Sequence, residues 1–173
     1  MKVTINAGHC PGADPGAIGQ TGLQEADVAK DIAELTSCYL RQAGCETLIV
    51  QDNELSNIID ASNLFGADLF VSIHCNGFKD PAAKGTEVFC YQLLGNSEQL
   101  AKCIQSQIID NLQTVDRGIK TGNLYVLRHT ECTAVLVETA FITNSKDELL
   151  LATQQDEFAK AIARGVTDYV GAL

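Results

Sequence analysis

Apolar positions along the chain follow two alternating rhythms. Short, nearly unbroken apolar runs suit strands buried on both faces. Between them lie stretches whose apolar residues return every three or four positions, the spacing of an amphipathic helix. Val3-Thr4-Ile5-Asn6 is the first run, and the Gly- and Pro-rich residues 11–22 after it read as a loop. Val28, Ile32, Leu35 and Tyr39 predict a helix beginning near Glu25, with Gly44 placed for a left-handed cap behind it. Residues 47–50 predict a second strand, and Leu55, Ile58, Ile59 and Leu64 a second helix ending near Gly66. Residues 68–73 and 86–91 predict strands three and four. Ser97 then stands as the N-cap of a third helix carrying Leu100, Ile104, Ile108 and Leu112. Residues 124–127 and 134–137 predict strands five and six, and Phe158, Ile162, Val166 and Tyr169 a last helix. Strands alternating with helices imply an α/β fold: a single domain over residues 1–173, with about six strands in a mostly parallel, twisted sheet and helices on both faces.

Composition narrows the function classes. The chain has 173 residues, 46% hydrophobic and 20% charged, with a formal net charge of −10, an ordinary balance for a globular domain. That charge excludes nonspecific nucleic-acid binding, which needs a basic footprint. No apolar run approaches the roughly 20 residues that span a bilayer. The first residues, Met1-Lys2-Val3-Thr4-Ile5-Asn6, lack the apolar core of a signal peptide, so export by another route or from a lost leader is the expectation. Seven cysteines (Cys10, Cys38, Cys45, Cys75, Cys90, Cys103 and Cys132) form no C-x-x-C pair, and an odd number suits buried thiols better than a disulfide framework. Cys10 and Cys75 stand apart because each directly follows a histidine.

Those two histidines are the chemical signal. His9 follows the first strand in Asn6-Ala7-Gly8-His9, and His74 ends the third in Val71-Ser72-Ile73-His74-Cys75-Asn76. Ligands of open α/β sheets gather beyond the carboxyl ends of the strands. Glu138 closes the sixth apolar run at that same edge, and an acid there is costly to bury unless something pairs with it. Glu25, at the start of the first helix, could face the same crevice. Two imidazoles and a carboxylate are a common ligand set for catalytic zinc, with a further carboxylate beside the bound water as general base. Each residue also has a plainer reading: a buried histidine as a satisfied core residue, Glu25 as a partner of the helix dipole, His129 as a surface loop residue rather than a rim contact.

Taken in order, several pieces resemble the catalytic domain of zinc-dependent N-acetylmuramoyl-L-alanine amidases, the cell-wall hydrolases of bacteria and their phages. They are Ala7-Gly8-His9, Asp14-Pro15-Gly16-Ala17-Ile18-Gly19, Gly22-Leu23-Gln24-Glu25, Ala67 through Asn76, Gly85-Thr86-Glu87-Val88, Leu124 through Arg128, and Ala134 through Asn144. Residue by residue, the resemblance implies that His9, Glu25 and His74 bind one Zn2+ per chain and that Glu138 is the catalytic carboxylate. The implied reaction is hydrolysis of the amide between the lactyl group of N-acetylmuramic acid and the L-alanine of the stem peptide, at the bacterial wall.

The chain departs from the family pattern at the substrate rim. Cys10-Pro11 stand where two glycines usually follow the first histidine, Ala26 follows Glu25 in place of lysine, and Val50-Gln51-Asp52-Asn53 lacks a usual arginine, as does the helix near Ile58. In an extended segment Cys10 would point away from a His9-bound metal. Only residues 78–84 separate Gly77 from Gly85, too few for the occluding helix some relatives carry, which at three turns needs about 11 residues. The site is therefore expected to be open by default. Peptidoglycan is the expected partner, with no nucleic acid, no membrane span and no wall-binding module within the chain; the simplest expectation for the oligomeric state is a monomer. A non-catalytic zinc-containing wall-binding domain and a metallohydrolase of another amide remain the alternatives.

Overall fold

The computed structural model describes residues 1–172 as one layered α/β domain. Its strands are β1 (Lys2–Ala7), β2 (Glu46–Val50), β3 (Leu69–Asn76), β4 (Thr86–Cys90), β5 (Asp116–Thr121) and β6 (Thr133–Phe141). Its helices are α1 (Glu25–Gln42), α2 (Leu55–Phe65), α3 (Asn96–Leu112), α4 (Tyr125–His129), α5 (Ser145–Thr153) and α6 (Gln155–Gly171). The six strands form one sheet in the order β2-β1-β3-β6-β4-β5. β2, β1, β3 and β6 run parallel; β4 and β5 run parallel to each other, and β4 meets β6 antiparallel. The mostly parallel six-stranded sheet expected from the sequence is the one formed.

Strand side chains alternate between two faces, and that alternation separates core from site. Val3, Ile5, Val71, Ile73, Val135 and Val137 join a core with Val28 and Ile32 of α1, Ile104 of α3 and Phe158 and Ile162 of α6. The intervening positions Phe70, Ala134 and Leu136 face Ile58 and Ile59 of α2 and Val126 and Leu127 of α4. Helices thus cover both faces, heavily on one and lightly on the other. His74 and Glu138 keep the parity of Phe70 and Leu136, so they belong to the lightly covered face. Gly44 (φ 87) and Gly66 (φ 67) end α1 and α2 in the left-handed region, as their placement predicts.

Four expectations need correction. Residues 124–127, read as strand five, enter the short helix α4, whose first turn closes through Leu127 and Arg128 N–H bonds to the Leu124 carbonyl. A short apolar run fits a buried helix turn as well as a strand, and here Val126 and Leu127 pack on the sheet rather than within it. The fifth strand lies earlier, at Asp116–Thr121, a polar edge strand paired only with β4. Ser97 lies inside α3, which begins at Asn96; its hydroxyl accepts the Ala134 N–H (3.2 Å) instead of capping the helix. β3 and β6 also run beyond their expected ends, so His74 and Glu138 sit within strands rather than at their last residues. The helix α5 has no counterpart in the apolar pattern; Asn144 caps it, its side chain accepting the Lys146 and Asp147 N–H groups.

Candidate metal centre

His9 reaches the site through an unusual backbone. β1 stops at Ala7, Gly8 N–H bonds the Ile73 carbonyl (2.8 Å), and His9 turns back with φ 57. A non-glycine residue in that left-handed region costs roughly 1–2 kcal/mol, the kind of strain that persists where surrounding contacts enforce it. The enforcement is visible: Cys10 and Asp14 exchange backbone bonds, and Asp14 Oδ2 lies 2.8 Å from His9 Nδ1. Asp14 also accepts the Gly16 N–H through Oδ1 (3.0 Å). With Nδ1 engaged, the opposite ring atom, Nε2, faces Glu25 Oε2 at 3.2 Å. An outer carboxylate that orients a ligand histidine in this way is common around metal sites.

Glu25 is the first residue of α1 and is 4% exposed. Its Oε2 accepts the Ala17 N–H (2.9 Å), and its Oε1 accepts the Cys75 N–H (3.1 Å) and lies 2.9 Å from His74 Nδ1. Gln51 ties the neighbouring elements together, its amide donating to the Ala26 carbonyl at 3.0 Å and the Gly8 carbonyl at 3.3 Å. The backbone crowds in on these side chains. A Cβ on Gly8 would lie 2.4 Å from the His74 ring, and one on Gly16, itself at φ 66, would lie 2.6 Å from Glu25 Oε2. Glycine at both positions is what lets the loop close on the triad.

That loop is held from behind by α5. Glu148, 3% exposed, accepts the Thr21 N–H (2.8 Å) and hydroxyl (2.6 Å) through one oxygen. Burial works against ionising Glu148, but the Thr21 bonds outweigh it and hold the carboxyl below its usual range. A depressed folded-state value means stability that is present above the unfolded carboxyl pKa and lost as pH falls through the folded one. Replacing Glu148 with alanine is expected to cost about 1–2 kcal/mol at neutral pH, the loss of hydrogen bonds to a charged group whose Thr21 donors water can reach. The same substitution should narrow the stability gap from wild type at acid pH. Denaturant titrations at both pH values measure this.

The electrostatics of the triad favour a cation. Burial alone would raise the Glu25 carboxyl, yet hydrogen bonds from His74 and His9, aided by the Ala17 N–H, bring it down to about 2. His9 is pushed up to about 9: its bond to Glu25 is the main cause, burial opposes it, and Asp14 adds to it. Two carboxylates pulling a proton onto an imidazole exert the attraction that a divalent cation would also satisfy. One donor atom each from His9, Glu25 and His74 lies within 4.8 Å of the others. The two histidines face different oxygens of Glu25, His9 Nε2 at 3.2 Å from Oε2 and His74 Nδ1 at 2.9 Å from Oε1, and imidazole nitrogen with carboxylate oxygen is a donor set that zinc takes. The residues fit a metal site with three protein ligands.

Glu138 completes the group. It is the register partner of His74 across the β3–β6 ladder and of Glu87 across β6–β4. Glu87 is engaged elsewhere, accepting from Asn76 Nδ2 (2.8 Å) and Arg117 Nε (2.9 Å). Glu138 Oε2, in contrast, is buried with no hydrogen-bond partner among the described residues. Burial pushes its carboxyl up to about 7; His74 works against this, and the charge of Glu25 reinforces it. A carboxyl poised near neutrality suits an acid–base role.

The sequence therefore brings His9, Glu25 and His74 into one cluster, with Glu138 beside it. His129 stays apart, at the end of α4 against the Tyr125 ring (4.3 Å between centroids). Cys10 does not follow an extended segment, because His9 is left-handed, yet it is not among the converging donors. Cys75 is buried on the opposite parity, near Thr139 Oγ1 at 3.5 Å, and burial pushes its thiol well up. Sequence reasoning missed Asp14 as the residue that orients His9. A carboxylate five positions after a candidate ligand histidine, in a turn-forming segment, was the available signal.

Comparison with known proteins converges on one family. The profile described as N-acetylmuramoyl-L-alanine amidase matches residues 3–168. The chain is 38% identical over 176 residues to the N-acetylmuramoyl-L-alanine amidase LytC of Bacillus subtilis (strain 168), covering 96% of this chain and 35% of LytC. It is 37% identical to YqiI of the same organism, an uncharacterized protein, covering 96% of this chain and 84% of YqiI. The solved structure of the N-acetylmuramoyl-L-alanine amidase AmiC2 of Nostoc punctiforme superimposes with a TM-score of 0.93 at 33% identity, over 99% of this chain and 97% of that one. The chain spans about a third of the length of LytC. It belongs to the N-acetylmuramoyl-L-alanine amidase family.

Proposed function

We propose that this chain hydrolyses the amide between N-acetylmuramic acid and the L-alanine of the stem peptide, acting on peptidoglycan outside the cytoplasm. The observation that carries the reading is the convergence of His9, Glu25 and His74 beside the unpartnered Glu138, in a chain of this family. His9, Glu25 and His74 are the residues that would hold one zinc ion. When bound, zinc lowers the pKa of a coordinated water toward about 7 and polarises the scissile carbonyl.

The chain's own groups do the rest. Asp14 fixes the His9 ring so that Nε2 points inward, and the Ala17 and Cys75 N–H groups hold both Glu25 oxygens in place. Glu138 Oε2 accepts the proton of the attacking water and returns it to the departing alanine nitrogen. This oxygen has no competing donor to break from first. Residues 77–85 join β3 to β4 without a helix, which supports a site open without an activator.

Digestion of purified peptidoglycan followed by mass spectrometry tests the reading. The expected products are glycan with free lactyl carboxylates and stem peptides with free L-alanine amino termini. Cleavage within the stem peptide, with the lactyl amide intact, would instead support a peptidase built on the same centre.

A further inference from the structure

A cavity of about 380 Å³ opens beside the triad, at the scale of a ligand site. Leu55 and Ile58 of α2 and Leu124, Tyr125 and Val126 around α4 form its walls, and His9 and His74 stand at the catalytic end. Such walls suit the lactyl and alanyl methyl groups better than a hydroxyl-rich sugar ring, so the peptide side of the substrate is the part that fits. The polar lining is sparse. Asn6 is committed to the Ala7 and Val50 carbonyls and to the Ser72 hydroxyl, and Asp14 is paired with the His9 imidazole, whereas the donors to Asp52 are neutral. Asp52 is the remaining charged group of the lining, and no lysine or arginine lines the cavity with it.

Asp52 is anchored where it stands. Its Oδ1 accepts the Glu54 N–H (2.8 Å) and its Oδ2 accepts Asn57 Nδ2 (3.1 Å) at the start of α2. The Glu54 bond first, then the Asn57 bond, hold the carboxyl below its usual range, so it is ionised at neutral pH. Asp52 therefore adds a negative charge to a lining without lysine or arginine, which attracts cations and repels carboxylates.

We propose that Asp52 is a specificity-determining residue that selects stem peptides carrying a free side-chain amine near the cleft. This rests on the amidase reading above and deepens it. The probes are N-acetylmuramoyl-L-alanyl-D-isoglutaminyl-L-lysine and the same compound acetylated on the lysine side chain, given to the zinc-loaded full chain. Wild type is expected to cleave the amine-bearing compound with kcat/KM about fivefold higher, the scale of one partly screened charge pair. In Asp52→Asn, which keeps the Oδ1 acceptor for Glu54, the ratio is expected to fall below about twofold.

A wild-type ratio near one overturns the inference, as does a ratio that survives in Asp52→Asn. Should that variant not fold, raising ionic strength from about 20 mM to about 0.5 M must shrink the wild-type ratio, because the Debye length falls severalfold; an unchanged ratio overturns the assignment. Cleavage of both compounds at equal rates strikes this inference alone. Cleavage of neither strikes the amidase reading, and this inference with it.

Discussion

Glu138→Gln is expected to keep its metal and lose its activity. Glutamine preserves the size of the side chain but cannot take a proton from water, and general acid–base groups contribute roughly 10²–10⁴-fold in rate. No hydrogen bond to Glu138 Oε2 is lost, because that oxygen has none. Neighbouring Glu87 offers no substitute, since Asn76 and Arg117 already occupy its oxygens. The change should also affect stability in the opposite sense. A carboxyl raised to about 7 by burial favours the fold only while protonated, below its unfolded pKa, and that contribution is lost as pH rises through 7. Metal-free Glu138→Gln is therefore expected to melt higher than metal-free wild type at pH 8, by no more than ~3 kcal/mol of stability. Amine release and calorimetry on the same samples read both effects. Near-wild-type turnover in this variant would remove Glu138 as the base.

His74→Ala is expected to lose activity to background, a larger effect, because in the proposed mechanism it removes a metal ligand rather than a proton carrier. In the variant, Glu25 Oε1 keeps only the Cys75 N–H, and His9 is left as the one imidazole of the triad. A chelator should bring wild type to the same background, and added zinc should restore wild type alone. Stability gives an independent readout. A metal at 100 times its dissociation constant adds about 2.7 kcal/mol to the folded state, so chelation should lower the melting temperature of wild type and leave His74→Ala unmoved. Equal melting shifts in both proteins would mean that any bound metal sits elsewhere.

The parts of this fold that can be read from the sequence are those whose residues are buried on two sides. β3 and β6 are apolar over most of their length because helices cover both faces of the central sheet, and α1 and α6 show their stripes because α1 packs on the sheet and α6 packs on α1 and α3. Asp116–Thr121 carries no such pattern, since it pairs on one edge only and leaves most of its side chains in water. Tyr125–His129 misled in the other direction: Val126 and Leu127 are buried against the sheet, and two buried neighbours look alike in a strand and in one helical turn. α5 owes its start to the Asn144 cap rather than to an apolar face.

The site divides in the same way. His74 and Glu138 are conspicuous as polar residues embedded in apolar runs, and His9 and Glu25 adjoin a glycine-rich loop. Asp14 is not conspicuous, because its contact with His9 exists only once His9 adopts φ 57. The cavity walls are also invisible in the sequence. They come from α2 and α4, two elements that meet only in the folded chain.

Metal content distinguishes a centre built from His9, Glu25 and His74 from any other arrangement. Elemental analysis of wild type and His74→Ala, both purified without chelator and loaded with zinc before exhaustive dialysis, compares stoichiometries per chain. One zinc in wild type and none retained in His74→Ala is the predicted result. Equal zinc in the two proteins, or none in either, would contradict a metal centre built from His9, Glu25 and His74.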